Sequence, residues 1–133
     1  MNMTDQPKHS ARLKGLKVLV VEDQPIMAMT LEEMLRAIGC SVVWHASGVT
    51  DALAMMRSQR PDCAVVDLYL SGELAYPVAR WLASEGIPFV FLKGYGRRTI
   101  LGDWASRPAI QKPFSVRSLQ AKLEAALDQA ESA

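Results

Sequence analysis

The strongest constraint on this chain's fold is a series of short apolar runs without polar alternation, separated by segments of helical period. Residues Lys17–Val21 read KVLVV, 63–66 read CAVV and 89–92 read FVFL. A strand with one wet face alternates apolar and polar residues, so such runs require cover on both faces. After the first run, Pro25 suits an opening helical turn. Ile26, Met27, Thr30, Leu31, Met34, Leu35 and Ile38 then recur at helical spacing until Gly39 stops the pattern. Residues 41–46 (SVVWHA) predict a second strand, and 51–58 a second helix that Arg60-Pro61-Asp62 breaks. Beyond 63–66, a loop with Ser71-Gly72 leads into a helix reaching residue 84, and Gly86 and Pro88 punctuate before 89–92. A shorter helix is expected over 98–105 and a fifth strand at Ala109–Gln111. An amphipathic helix over 115–130 closes the pattern, with Val116, Leu119, Leu123, Ala126 and Leu127 on one face. Five strands alternating with five helices predict an α/β fold, a doubly wound five-stranded parallel sheet of order 2-1-3-4-5.

With 133 residues the chain is expected to form one domain, over 15–130, after a flexible leader at 1–14 and without an output domain. Its 15 basic and 14 acidic residues nearly cancel and form no long block, which argues against a nucleic-acid or membrane-surface binder. Arg97-Arg98, without a wider basic patch, reads as a solvated helix start. No apolar stretch approaches the ~20 residues that span a bilayer, and the polar N-terminus lacks the apolar centre of an export signal. A cytoplasmic location is expected. Cys40 and Cys63 lie beside apolar residues without paired spacing and read as buried free thiols. His45 lacks metal-ligand company and reads as structural, and His9 lies in the leader.

In a doubly wound sheet, ligands bind outside the carboxyl ends of the strands where strand order reverses. Here those ends are acidic. Glu22 and Asp23 leave strand one and Asp67 leaves strand three, its predicted neighbour. Single acids at strand ends are commonly solvated loop residues or caps. Three together repel one another unless a cation relieves them, and an all-oxygen donor set suits Mg2+, which often shares a substrate phosphate. Lys112, in Lys112-Pro113-Phe114 after strand five, offers a point charge for Asp67 or for a phosphoryl oxygen.

With these pieces in place, residues 15–130 resemble the receiver domain of two-component response regulators, a flavodoxin-like fold. The resemblance is carried by VLVVEDQP, CAVVDLYLSG, FVFL and QKPF. It implies that Asp67 accepts a phosphoryl group from a histidine kinase or phosphotransfer partner. It further implies that Glu22, Asp23, Asp67 and the backbone carbonyl of Tyr69 hold Mg2+, that Lys112 contacts the phosphoryl group, and that the Lys112-Pro113 bond is cis. Such a chain is a phosphoacceptor signalling protein rather than an enzyme, with possible autodephosphorylation. It would act in a phosphorelay through protein contacts, including a downstream regulator.

Two positions depart from the pattern. Receivers usually carry threonine or serine at the end of strand four, where this chain has Lys93, and tyrosine or phenylalanine in strand five, where it has Ala109. The subgroup nicknamed FAT GUY also lacks the strand-five aromatic, and Phe91-Leu92-Lys93-Gly94-Tyr95 resembles its motif with lysine in place of threonine. Three readings of Lys93 stand side by side: pairing with Asp67 in imitation of a cation, contact with phosphoryl oxygens, or solvation at the loop edge. Tyr95 is either a loop gate or an exposed turn aromatic. The alternative for the whole chain is a pseudo-receiver, an interaction module independent of phosphorylation because Lys93 has replaced the switch.

Overall fold

The computed structural model describes residues 11–94 and 100–132. Strand β1 (Lys17–Val21) leads into α1 (Pro25–Ile38), β2 (Val42–Ala46), α2 (Val49–Ser58) and β3 (Cys63–Asp67). A small antiparallel hairpin of β4 (Tyr69–Leu70) and β5 (Glu73–Leu74) follows, then α3 (Tyr76–Ser84), β6 (Phe89–Lys93), a 3-10 segment (Gly102–Ser106), β7 (Ala109–Gln111) and α4 (Val116–Ser132). The main sheet is parallel throughout, in the order β2-β1-β3-β6-β7. Counting only its five strands, this is the predicted 2-1-3-4-5 order.

Two-residue alternation divides each central strand between two cores. Leu19, Val21, Ala64, Val66, Phe89 and Phe91 pack with Ala52 and Met56 of α2 and Val78, Ala79 and Leu82 of α3. Val18, Val20, Val65, Val90 and Leu92 pack on the other face with Leu31, Leu35 and Ile38 of α1 and Leu119 and Leu123 of α4. Burial on both faces explains why the runs are continuously apolar, and β3, the middle strand, is buried at every position. Pro25 opens α1, and Gly39 closes it at φ 121°, donating its N–H to Leu35 and Arg36 carbonyls.

Four α-helices occur among the described residues, where five were predicted. Of the expected 98–105 helix, 102–105 belong to the 3-10 segment, Ile100 and Leu101 precede it without helical structure, and 98–99 lie outside the described residues. Gly102, with φ 59°, sits at the start of the segment, and Trp104 packs edge-on against Phe91 and stacks on Tyr76, both about 6 Å between ring centroids. The end of the predicted leader also belongs to the packed unit. Leu13 is fully buried in the α1–α4 core, and Arg12 pairs with Asp128 of α4. Among the described residues no helix is long and apolar enough to cross a membrane.

Candidate functional site

Parallel pairing brings the carboxyl ends of β1, β3 and β6 to one edge of the sheet. Val21 is level with Val66, so Glu22 emerges next to Asp67. Asp67 is in turn level with Leu92, which puts Lys93 one step beyond it on the neighbouring strand. Glu22 is completely buried and Asp67 only 5 % exposed, while Asp23 is half-buried at the rim. Oxygen atoms of all three carboxylates lie within 4.8 Å of one another. The three acids that the sequence placed at the ends of two neighbouring strands therefore form one cluster.

Its internal cation is Lys112, whose Nζ donates to Glu22 Oε2 at 3.1 Å and to Asp67 Oδ2 at 3.0 Å. The Lys112-Pro113 bond is cis, as the resemblance implied. Partial burial disfavours the ammonium, yet Asp67 and then Glu22 outweigh it and raise the lysine pKa. Glu22 is pushed up to about 7, first by burial and then by sharing its space with Asp67, with Lys112 opposing. Partial burial works to raise Asp23 as well, but the hydroxyl and amide of Ser71 donate to its Oδ2 at 3.0 and 3.1 Å and hold it below the usual carboxylate value.

Ser71 is a site residue that the sequence reading treated only as part of a loop. It occupies the turn of the β4–β5 hairpin at φ 47°, beside Gly72 at φ 91°, and reaches across 48 positions to Asp23. Two consecutive positive φ angles suit a tight two-residue hairpin turn. Backbone amides complete the frame: Tyr69 N–H donates to Asp67 Oδ1 and Gln24 N–H to Glu22 Oε1, each at 3.2 Å. His45, read as structural, donates from Nε2 to the Glu22 carbonyl at 2.8 Å.

The cluster opens into a cleft of about 560 Å³ lined by Asp23, Met27, Asp67, Tyr69, Lys93 and Lys112, among others. Lys93 therefore shares a wall with the acids. Its ammonium makes no ion pair or hydrogen bond among the described residues, and the Asp67 carboxylate pairs with Lys112 instead. The other departure, Ala109, is half-buried beside Phe91 in the β6–β7 pairing. Tyr95 lies outside the described residues, as do His9 and Arg97-Arg98. Three hard oxygen donors with one internal ammonium fit a small divalent cation such as Mg2+, with Glu22, Asp23 and Asp67 as the side chains that would hold it.

Residues 18–124 match the family model described as the response regulator receiver domain. The chain is 29% identical over 115 residues to the transcriptional regulatory protein PdtaR of Mycobacterium tuberculosis, covering 84% of this chain and 56% of that protein. It is 30% identical over 116 residues to the phyllosphere-induced regulator PhyR of Methylorubrum extorquens, covering 84% of this chain and 43% of the relative. The chain thus spans about half the length of these curated relatives. Among solved structures, SdrG from Sphingomonas melonis Fr1 superposes with a TM-score of 0.77 at 36% identity, over 84% of this chain and 96% of SdrG. SdrG has also been solved in a BeF3-activated conformation.

Proposed function

This chain belongs to the response regulator receiver domain family, and on that premise we propose that Asp67 is its phosphoacceptor in a phosphorelay. The observation that carries the reading is the convergence of Glu22, Asp23 and Asp67 within 4.8 Å, with Lys112 bonded to Asp67. A carboxylate oxygen of Asp67 attacks the donor's phosphorus as the bond from phosphorus to the donor breaks, its electron pair leaving with the donor. Hydrolysis reverses the state: a water oxygen bonds to phosphorus, the bond to Asp67 breaks, and the water's protons depart with inorganic phosphate. Mg2+ held by Glu22, Asp23 and Asp67, together with the Tyr69 carbonyl, would neutralise phosphoryl charge. Asp67 is kept in place by the Tyr69 amide and by Lys112, whose ammonium is positioned to follow the new phosphoryl oxygens.

The donor is a histidine kinase or histidine phosphotransfer protein, and the output is contact with a downstream regulator. The protein's own role is that of a phosphoacceptor rather than a catalyst acting on a separate substrate. Beryllofluoride, a phosphoryl mimic that coordinates an aspartate carboxylate, tests the site directly. With Mg2+ present, 19F NMR of the full chain is expected to show a bound fluoride signal that Asp67→Asn abolishes. A wild-type chain without that signal would contradict the assignment. The second reading, a module independent of phosphorylation, rests on Lys93 and Ala109 at the two usual switch positions. It predicts the same partner affinity with and without beryllofluoride.

A further inference from the structure

We propose that Lys93 is a second cationic contact for the phosphoryl group on Asp67, one that weakens Mg2+ binding at rest and stabilises the phosphorylated site. This rests on Asp67 being the phosphoacceptor. The backbone at Lys93 is fixed, since it is level with Gln111 in β7 and its carbonyl accepts the Lys112 N–H at 2.9 Å. Its side chain is partly buried in the wall of the cleft that Asp67 and Lys112 also line. The two lysines differ in what they already hold. Lys112 is committed to Glu22 and Asp67, whereas the Lys93 ammonium has no partner among the described residues and is available to an incoming anion.

Formal charge gives this arrangement a direction. Counted with all three carboxylates ionised, the form that holds a metal, and with Lys112 and Lys93 as the two ammoniums of the cluster and its cleft, the site carries one negative charge in excess. A divalent cation changes that to one positive charge in excess, so Lys93 opposes metal entry to the resting site. Turning Asp67 into an acyl phosphate adds one more negative charge, and the metal-bound phosphorylated site becomes neutral. A hydroxyl in place of Lys93 would leave that same state one negative charge in excess, and would offer a neutral hydrogen bond where the ammonium offers a charge-assisted one. Lys93 thus acts on the two states with opposite sign, which an inert solvated lysine does not.

The wild-type chain and its Lys93→Thr, Lys93→Met and Lys93→Arg variants would be compared in two measurements. Resting Mg2+ affinity is read by calorimetry at low ionic strength, and acyl-phosphate decay by intact mass after acetyl phosphate is removed. Loss of the charge in the Thr and Met variants is expected to shorten the acyl-phosphate lifetime roughly ten-fold and to tighten resting Mg2+ binding several-fold, with Arg near wild type in both. Unchanged lifetime and metal affinity in Thr and Met would overturn the proposal. An adduct that forms only after Lys93 is removed would also overturn it, identifying the lysine as a block while preserving Asp67 as acceptor. Absence of an adduct in every chain, with acetyl phosphate and with a phosphorylated histidine donor alike, would instead defeat the reading of Asp67, and the proposal with it.

Discussion

Glu22 has no solvent exposure, shares its space with Asp67, and has only Lys112 to offset its charge, a combination that burial turns into a pKa of about 7. Replacing it by glutamine removes a poorly compensated buried charge. The new amide keeps an acceptor for the Gln24 N–H, while its nitrogen replaces Oε2, gives up the Lys112 bond and leaves that cation to Asp67. Glu22→Gln is therefore expected to stabilise the metal-free protein by about 1 kcal/mol in urea unfolding and to weaken Mg2+ binding. Lys112→Met has the opposite consequence, because it strips both carboxylates of their shared cation; a loss of about 3 kcal/mol is expected in the same assay. Equal stability of the two variants would show that the cluster is better solvated than its burial indicates. The acids were legible in the sequence because they stand at the ends of two strands that apolar runs identify, and Lys112 because it stands in Lys112-Pro113-Phe114 just after the fifth strand of the same pattern. Ser71 was not, because its bonds to Asp23 exist only once the hairpin has folded and brought positions 48 apart together. Lys93 was legible as a departure from the family pattern, but its place in the wall of the cleft, without an ion-pair partner among the described residues, arises only when β3, β6 and β7 pair.

The β4–β5 hairpin escaped the sequence reading because two strands of two residues are too short to establish any period. Its turn nevertheless decides where Ser71 meets Asp23. At Gly72, with φ 91°, an added Cβ would meet nothing nearer than the Tyr69 hydroxyl at 4.0 Å, so the cost of substitution is conformational rather than steric. Gly72→Ala is expected to lose about 1 kcal/mol of stability and to weaken Mg2+ binding as the Ser71 contacts shift. An unchanged stability would mean that the turn relaxes freely to another form. The predicted helix over 98–105 shows the converse limit. Ile100 and Trp104 have helical spacing, but what fixes the described part of the segment is tertiary: Trp104 enters an aromatic group with Tyr76, Phe89 and Phe91, and the Leu101 N–H donates to the Tyr76 hydroxyl at 3.0 Å.

Across the whole molecule, the doubly covered sheet was legible because continuous apolar strands and amphipathic helices make one consistent statement about burial. The burial of Leu13 was hidden by the polar residues around it. Cys40 and Cys63 are free and buried in the α1–α4 core, where desolvation raises Cys40 from its ordinary 9.0 to about 11 and moves Cys63 further in the same direction. A thiol whose pKa is higher in the folded state than in the unfolded chain ionises first in the unfolded chain. Its contribution is fully present below about pH 9 and is lost as pH rises toward 11 and beyond. Stability measured by urea is thus expected to fall steeply on the alkaline side. The Cys40→Ala/Cys63→Ala variant, though less stable at neutral pH through lost packing, should show a flatter alkaline slope. Parallel slopes in the two proteins would contradict the buried thiols as their cause.

The most direct measurement is intact mass after incubation with Mg2+ and acetyl phosphate, with Asp67→Asn and a metal-chelated sample alongside. A single phosphoryl adduct that requires both Asp67 and the metal is the predicted result. An adduct that persists in Asp67→Asn, or a wild-type chain that gains no phosphoryl group from either acetyl phosphate or a phosphorylated histidine donor, would contradict Asp67 as the phosphoacceptor.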